Sequence, residues 1–198
     1  MNLALFDFDG TISTCDTFTP FIKKVVPAGK LRLGYLLLLP SILAYRVGWL
    51  SGSTVRQQVV FFGLRGISKA YLDGLGKVHA DNFLGRVIRT QALERINWHL
   101  ESGDRVIVVS ASLDSYLKPW CERLGVELIC SELAAKGDTL TGKYKGGDCS
   151  GSEKARRVQA LVNLEDYKTI YAYGDTIEDN ELLSIADERY FQWKKMVA

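Results

Sequence analysis

The sequence predicts an α/β protein: a parallel sheet in a three-layer core, with a small all-helical unit inserted after the first strand. Two observations carry this. First, short apolar runs (Leu3–Phe6, Arg105–Val109, Val126–Cys130, Thr169–Tyr173) lack the apolar/polar alternation of a half-buried strand. Such runs suit strands covered on both faces, as in parallel sheets. Second, between the first run and the second the chain shows helical spacing and capping residues instead.

At 198 residues the chain can bury a substantial core, and 47% hydrophobic with 24% charged residues is ordinary for a folded protein. A net charge of +2 with no basic run gives no reason to expect nucleic acid. Cys15, Cys121, Cys130 and Cys149 are far apart, with no C-x-x-C pair. Zinc ligation is therefore not expected, and a reduced cytoplasmic setting is the simplest expectation. The N-terminus enters a strand at once, without a basic region or an apolar signal core, so export by a signal peptide is not expected.

The first strand leads into Asp7-Phe8-Asp9-Gly10-Thr11. Side chains alternate in extended backbone, so Asp7 and Asp9 can share one side of the strand's end, and Gly10 permits a sharp turn. Two anions this close repel unless a cation lies between them. Pro20 suits the first turn of a helix starting near Phe21. Residues 33–50 hold one charge, Arg46, among eighteen, with Pro40 in their middle. Three readings stand for this stretch: a spanning helix at the lower length limit, a broken pair of helices packed in the cap, or a helix resting on a membrane. The broken pair is the leading expectation.

Ser53 or Thr54 can cap a helix through Phe62, and Ser68 another from Lys69 to about Phe83. Residues 84–101 are expected to continue as helix to a stop at Ser102-Gly103. His79 and His99 read as helix-surface or core-edge residues, without partners at metal-ligand spacing. Beyond Gly103 the strand Arg105–Val109 ends at Ser110-Ala111-Ser112, and a helix follows from about Leu113 to Leu124. Next come the strand Val126–Cys130, a hairpin between Glu132 and Lys145 turning at Gly137-Asp138, and a helix from Ser150 or Ser152 to about Leu164. Thr169–Tyr173 ends at Gly174-Asp175; a helix from about Asn180 to Ala186 and a short strand Tyr190–Trp193 close the pattern.

In one parallel sheet, Asp7, Ser110 and Asp175 each fall just past a strand's carboxyl end, the edge where open α/β sheets bind ligands. Lys154, near a helix start, can reach the same edge. Asp7, Asp9, Asp175 and Asp179 offer the hard oxygen donors that suit Mg²⁺. The lysine, the serine hydroxyl and backbone N–H groups at turns suit a phosphate.

Asp7-Phe8-Asp9-Gly10-Thr11, Val109-Ser110-Ala111-Ser112, Lys154 and Gly174-Asp175-Thr176-Ile177-Glu178-Asp179 together resemble, in order, the four motifs of the haloacid dehalogenase superfamily. The helical insertion resembles the small cap of the subfamily containing phosphoserine phosphatase. Cys149-Ser150-Gly151-Ser152-Glu153-Lys154 is similar to a stretch in the bacterial subfamily IB hydrolases, among them the phosphatidylglycerophosphatase C type. The resemblance implies a Rossmann-like core from residues 1–14 and 91–198 with a helical cap over 15–90. It implies a Mg²⁺-dependent phosphomonoester hydrolase acting through an aspartyl-phosphate. Asp7 would be the nucleophile and Asp9 the general acid and base. The metal would be held by Asp7, the Asp9 carbonyl, Asp175 and Asp179, and the phosphate by Gly10, Ser110, Ala111 and Lys154.

For the leaving group, Asp16 and Gln58 fall where phosphoserine phosphatases carry an acid and an arginine, and Arg56 lies two residues earlier. Gln58 in the arginine's place disfavours phosphoserine itself. The apolar 33–50 stretch suggests a bulkier leaving group, including a lipid phosphate, and peripheral membrane contact. Two other classes were weighed. A receiver domain would carry its acceptor aspartate mid-chain, without a helical insertion. A membrane-peripheral phosphate-binding protein without turnover would have no need for a competent residue at every catalytic position.

Overall fold

A computed structural model of the chain describes residues 1–196. The expected α/β architecture is present. Strands β1 (Leu3–Phe6), β2 (Arg105–Leu113), β3 (Glu127–Lys136), β4 (Thr139–Lys145), β5 (Ile170–Gly174), β6 (Glu188–Phe191) and β7 (Lys194–Lys195) form one sheet in the order β4-β3-β2-β1-β5-β6-β7. The five central strands β3-β2-β1-β5-β6 are parallel; β4 and β7 are antiparallel edges made by hairpins.

All four residues of β1 are fully buried, because both faces of the sheet are covered. Ala4 and Phe6 face one apolar cluster, with Val108, Tyr116, Leu117 and Ile96; Leu3 and Leu5 face the other, with Ile107, Val109, Val158 and Leu182. This two-residue alternation is the pleat acting on an all-apolar strand. Each fully buried leucine contributes about 1.5–3 kcal/mol, so the strand that carries Asp7 is anchored from both sides.

Between β1 and β2 run α1 (Phe18–Val25), α2 (Ala28–Arg46), α3 (Gly52–Leu64), α4 (Lys69–His79), a wide turn over Ala80–Leu84, the single turn α5 (Gly85–Val87), and α6 (Thr90–Glu101). Then come α7 (Asp114–Leu124) after β2, α8 (Ser152–Leu161) after β4, and α9 (Asn180–Ser184) after β5.

Several expected boundaries move. Residues 33–50 are not a broken pair: α2 runs unbroken through Pro40 to Arg46, packs against α3 and buries only Leu38. The helix at 84–101 is interrupted at Ile88-Arg89, where Ile88 bridges Ser13 and the chain re-enters the core. Arg89 donates to the carbonyls of Ser13 (3.1 Å) and Gly10 (3.2 Å), tying the return point to the loop after β1. Strand β2 continues past Ser110 to Leu113, with an irregularity against β3 between those residues. His79 and His99 are interior, 2% and 0% exposed. His99 lies between Asp104 (Nδ1, 2.9 Å) and the Tyr173 hydroxyl (Nε2, 3.0 Å), so a satisfied polar network replaces the expected surface position.

Candidate active site

Register brings the site together. Phe6 pairs with Tyr173 of β5 and with Val108 of β2, so Asp7, Asp175 and Ser110 lie at one edge of three adjacent strands. The Asp7 amide donates to the Tyr173 carbonyl at 2.9 Å, which fixes its backbone. Beyond it the chain turns through Gly10 at φ +86°, a left-handed conformation that glycine adopts without strain. A Cβ on Gly10 would overlap the Asp175 carboxylate, so this glycine is also needed for a close approach. The Gly10 N–H donates to Ser13 Oγ at 3.3 Å, and Trp193 Nε1 donates to the Thr11 carbonyl at 3.1 Å, packing the last turn of the chain on this loop.

Lys154 is the centre of the charge arrangement. It is 3% exposed, and its Nζ donates to Asp7 Oδ1 and Asp179 Oδ1, each at 2.5 Å. Burial works against its charge, but the two carboxylates outweigh it and hold the ammonium above the usual lysine range. Burial raises Asp7 well above the usual carboxylate range, opposed by Lys154 and reinforced by Asp179. Asp175 is raised also, through burial, against the hydroxyl of Thr11, which donates to its Oδ1 at 3.0 Å.

The oxygens of Asp7, Asp175 and Asp179 lie within 4.8 Å of one another, a donor set that fits a hard divalent cation. The three differ in how far they are already engaged. Asp179 Oδ2 accepts from the amides of Asp175 (3.1 Å) and Thr176 (3.0 Å) and from Thr176 Oγ1 (3.2 Å), and its Oδ1 meets Lys154. Asp179 therefore closes its own loop and holds the lysine, whereas Asp7 and Asp175 each keep an oxygen with fewer partners.

Asp9 faces another way. Its Oδ1 accepts from the Thr17 amide (2.9 Å) and hydroxyl (2.5 Å), and its Oδ2 from Ser112 Oγ. Thr17 Oγ1 also lies 3.2 Å from the Tyr116 hydroxyl. Burial pushes the Asp9 carboxyl up to about 6, less far than it would without the Ser112 and Thr17 bonds. Two acids two residues apart thus occupy separate polar environments, one beside a lysine and one among hydroxyls.

The remaining expected residues are accounted for as follows. Ser110 is buried, and its Oγ accepts from the Ser112 amide at 3.1 Å; Ala111 lies between them, in the irregular part of β2. Asp16 is exposed and accepts from the amides of Phe18 (2.9 Å) and Thr19 (3.2 Å), capping α1. Arg56 reaches from α3 to the loop before α8, meeting both Asp148 oxygens (2.9 and 3.1 Å), and to Glu178 (3.0 Å) on the loop of Asp175. Asp148 is 1% exposed, so this is a half-buried ion pair spanning cap and core. Gln58 Oε1 is buried with no hydrogen-bond partner among the described residues.

Sequence reasoning gave no role to Thr11, Thr17, Ser112 or Tyr116. Thr11 and Ser112 stood inside quoted motifs, so position could have flagged them. Nothing local marks Thr17, which reaches Asp9 directly, or Tyr116, whose hydroxyl meets Thr17 through the packing of α7 on the start of α1.

An open, mostly parallel sheet with clustered carboxylates at its carboxyl edge and helices inserted after its first strand is a Rossmann-like α/β core with a helical insertion. The sequence model of the haloacid dehalogenase-like hydrolase family matches residues 4–184, and the chain belongs to that family. Protein CicA of Caulobacter vibrioides is 30% identical over 197 residues, covering 96% of this chain and 85% of that protein. A Bordetella pertussis Tohama I protein of unknown function shares the fold, with a TM-score of 0.83 and 22% identity over 96% of this chain and 89% of that one. So does a phosphoserine phosphatase solved as an analogue of its phospho-aspartyl intermediate (TM-score 0.67, 21% identity, 96% and 85% covered).

Proposed function

We propose that this hydrolase cleaves phosphomonoesters through an aspartyl-phosphate on Asp7, with Mg²⁺ as cofactor. The observation that carries the reading is the separation of Asp7 from Asp9. One carboxylate is aligned by Lys154 beside two further acids, and the other is turned toward the cap and hydrogen-bonded by hydroxyls. Paired acids held in different environments can take different roles in one reaction.

An Asp7 oxygen attacks phosphorus while the ester P–O bond breaks, and Asp9, in its protonated form, gives its proton to the departing alkoxide. Water then attacks the phosphoryl group, Asp9 takes the water's proton, and the bond to Asp7 breaks to release phosphate. Lys154 fixes the Asp7 rotamer through its bond to Oδ1 and supplies positive charge where the phosphoryl oxygens gather negative charge. Asp7, Asp175 and the Asp9 carbonyl would hold Mg²⁺, with Asp179 in support through Lys154 and the 175–176 amides. When bound, the ion neutralises charge between the anionic nucleophile and the anionic ester. Ser110 and Ala111, at the irregular part of β2, would contact the phosphoryl oxygens.

Arg56 already faces two carboxylates, which removes it as a receptor for an amino-acid carboxylate and supports a leaving group other than phosphoserine. Hydrolysis of p-nitrophenyl phosphate, phosphoserine, glycerol phosphates and a lipid phosphate, with Mg²⁺ and with EDTA, tests the reading. Metal-dependent turnover that disappears in a folded Asp7→Asn variant is expected. Turnover retained in that variant, or no turnover of any of these esters by wild type, refutes it.

A further inference from the structure

We propose that the exposed face of α2 docks on an anionic lipid bilayer, holding the cap against the membrane surface. The proposal concerns a surface, and it stands or falls independently of the reaction assigned to Asp7.

The face is built as a helix–core seam but meets water. Leu33, Leu36, Pro40, Leu43 and Val47 follow one another at steps of three and four residues, the spacing that lines one side of a helix, and Leu37 adjoins them. The leucines among them are 48–71% exposed if Leu39 is included, Val47 is 64% exposed, and Trp49, just beyond the helix end, is 84% exposed. In the nineteen residues of α2 only Leu38, on the other side, is buried. Contiguous exposed apolar patches on monomers mark interaction sites. No described helix is long and apolar enough to cross a membrane. The stretch therefore suits lying in the interface, with leucines in the acyl boundary and tryptophan and tyrosine at headgroup level.

Charge selects the occupant. From Thr17 to Leu72 the chain has eight Lys and Arg and not one Asp or Glu. Arg56 and Lys69 are spent on ion pairs with acids outside that segment. Lys23, Lys24, Arg32 and Arg46 are exposed and form no salt bridge among the described residues. Arg32 and Arg46 lie on α2 itself and Lys23 and Lys24 on the preceding α1, so the segment carries unpaired positive charge of the sign that complements anionic headgroups. A second copy of this chain fits worse: a two-fold contact sets the patch against itself, cations facing cations with no acid between them.

The test is co-sedimentation of the full chain with phosphatidylcholine vesicles, alone and with about one third phosphatidylglycerol, in 0.15 M and 1 M salt. Binding is expected to need the anionic lipid and to weaken in high salt, where the screening length falls to about 3 Å. Replacing Lys23, Lys24 and Arg32 by glutamine should weaken binding by about a hundredfold, at roughly fivefold per cation. Leu36→Ser, Leu37→Ser and Leu43→Ser together should weaken it at least about tenfold. All six side chains are exposed, so circular dichroism and melting temperature should not change, and loss of binding then reports the surface. Failure of wild type to bind the anionic vesicles overturns the proposal. So does binding unaffected by either triple variant, or light scattering that shows a dimer broken by the leucine changes.

Discussion

Replacing Lys154 by methionine would remove the one cation placed between two buried carboxylates while keeping most of the side chain's volume. At 2.5 Å and an effective dielectric of about 20, each ion pair is worth roughly 7 kcal/mol of gross attraction, most of which offsets the cost of burying the charges. What matters for the variant is the state left behind. Asp7 and Asp179 would face each other nearly unexposed, and stranding a buried charge costs about 3–5 kcal/mol. Asp7, already raised by burial, would rise further. A carboxyl raised in the folded state favours folding at low pH and loses that contribution as pH climbs through its folded value. The deficit relative to wild type should therefore widen from pH 5.5 to pH 7.5. Urea unfolding in EDTA measures this directly, and added Mg²⁺ should stabilise the variant more than wild type, since a bound cation would replace the missing one. A loss under about 1 kcal/mol in EDTA at pH 7.5 would refute the account of Lys154 as the site's electrostatic centre. An equal loss at both pH values would refute the part assigned to Asp7.

Two further outcomes follow from close packing and from burial. Gly10→Ala should lower thermal stability and abolish Mg²⁺-induced stabilisation, because the new Cβ meets both a left-handed backbone and the Asp175 carboxylate; a Mg²⁺-dependent melting shift equal to wild type would contradict it. Burial holds His79 down at about 4, against a weaker opposing bond from the Thr17 backbone, and its Nε2 has no partner among the described residues. The unfolded chain takes up this proton near pH 6.5 and the folded one only near 4. Stability present above 6.5 should thus fall between those values, by at most about 3 kcal/mol. His79→Phe, placed among Phe21, Phe83 and Tyr116, should flatten that slope in pH-dependent melts.

Much of the site was legible because its chemistry is written at strand ends. An apolar run reads as a strand covered on both faces, and the residue after it emerges at the sheet's carboxyl edge, which places Asp7 and Asp175 from the sequence. Gly10 was equally readable, since a turn directly after two acids calls for a residue without Cβ. Less legible were the partners of Asp9. Thr17 and Tyr116 are distant from each other in sequence, and only tertiary packing sets the Thr17 hydroxyl between the Asp9 carboxylate and the Tyr116 hydroxyl. The engagement of Asp179 by its own loop also depends on geometry, because a carboxylate's free oxygens are a property of its neighbours.

The sequence by itself determined the order of strands and helices, the buried strand at the centre and the identity of the acids, because these depend on local periodicity and residue chemistry. Only the tertiary structure decided which way Asp9 turns, that Arg56 pairs with Asp148 and Glu178, and that α2 runs unbroken through Pro40 with five of its leucines exposed. An apolar run states that a surface is to be covered, but what covers it is set by the elements packed nearby, and among the described residues α3 packs on α2 while Leu33, Leu36, Leu37, Leu39 and Leu43 stay exposed.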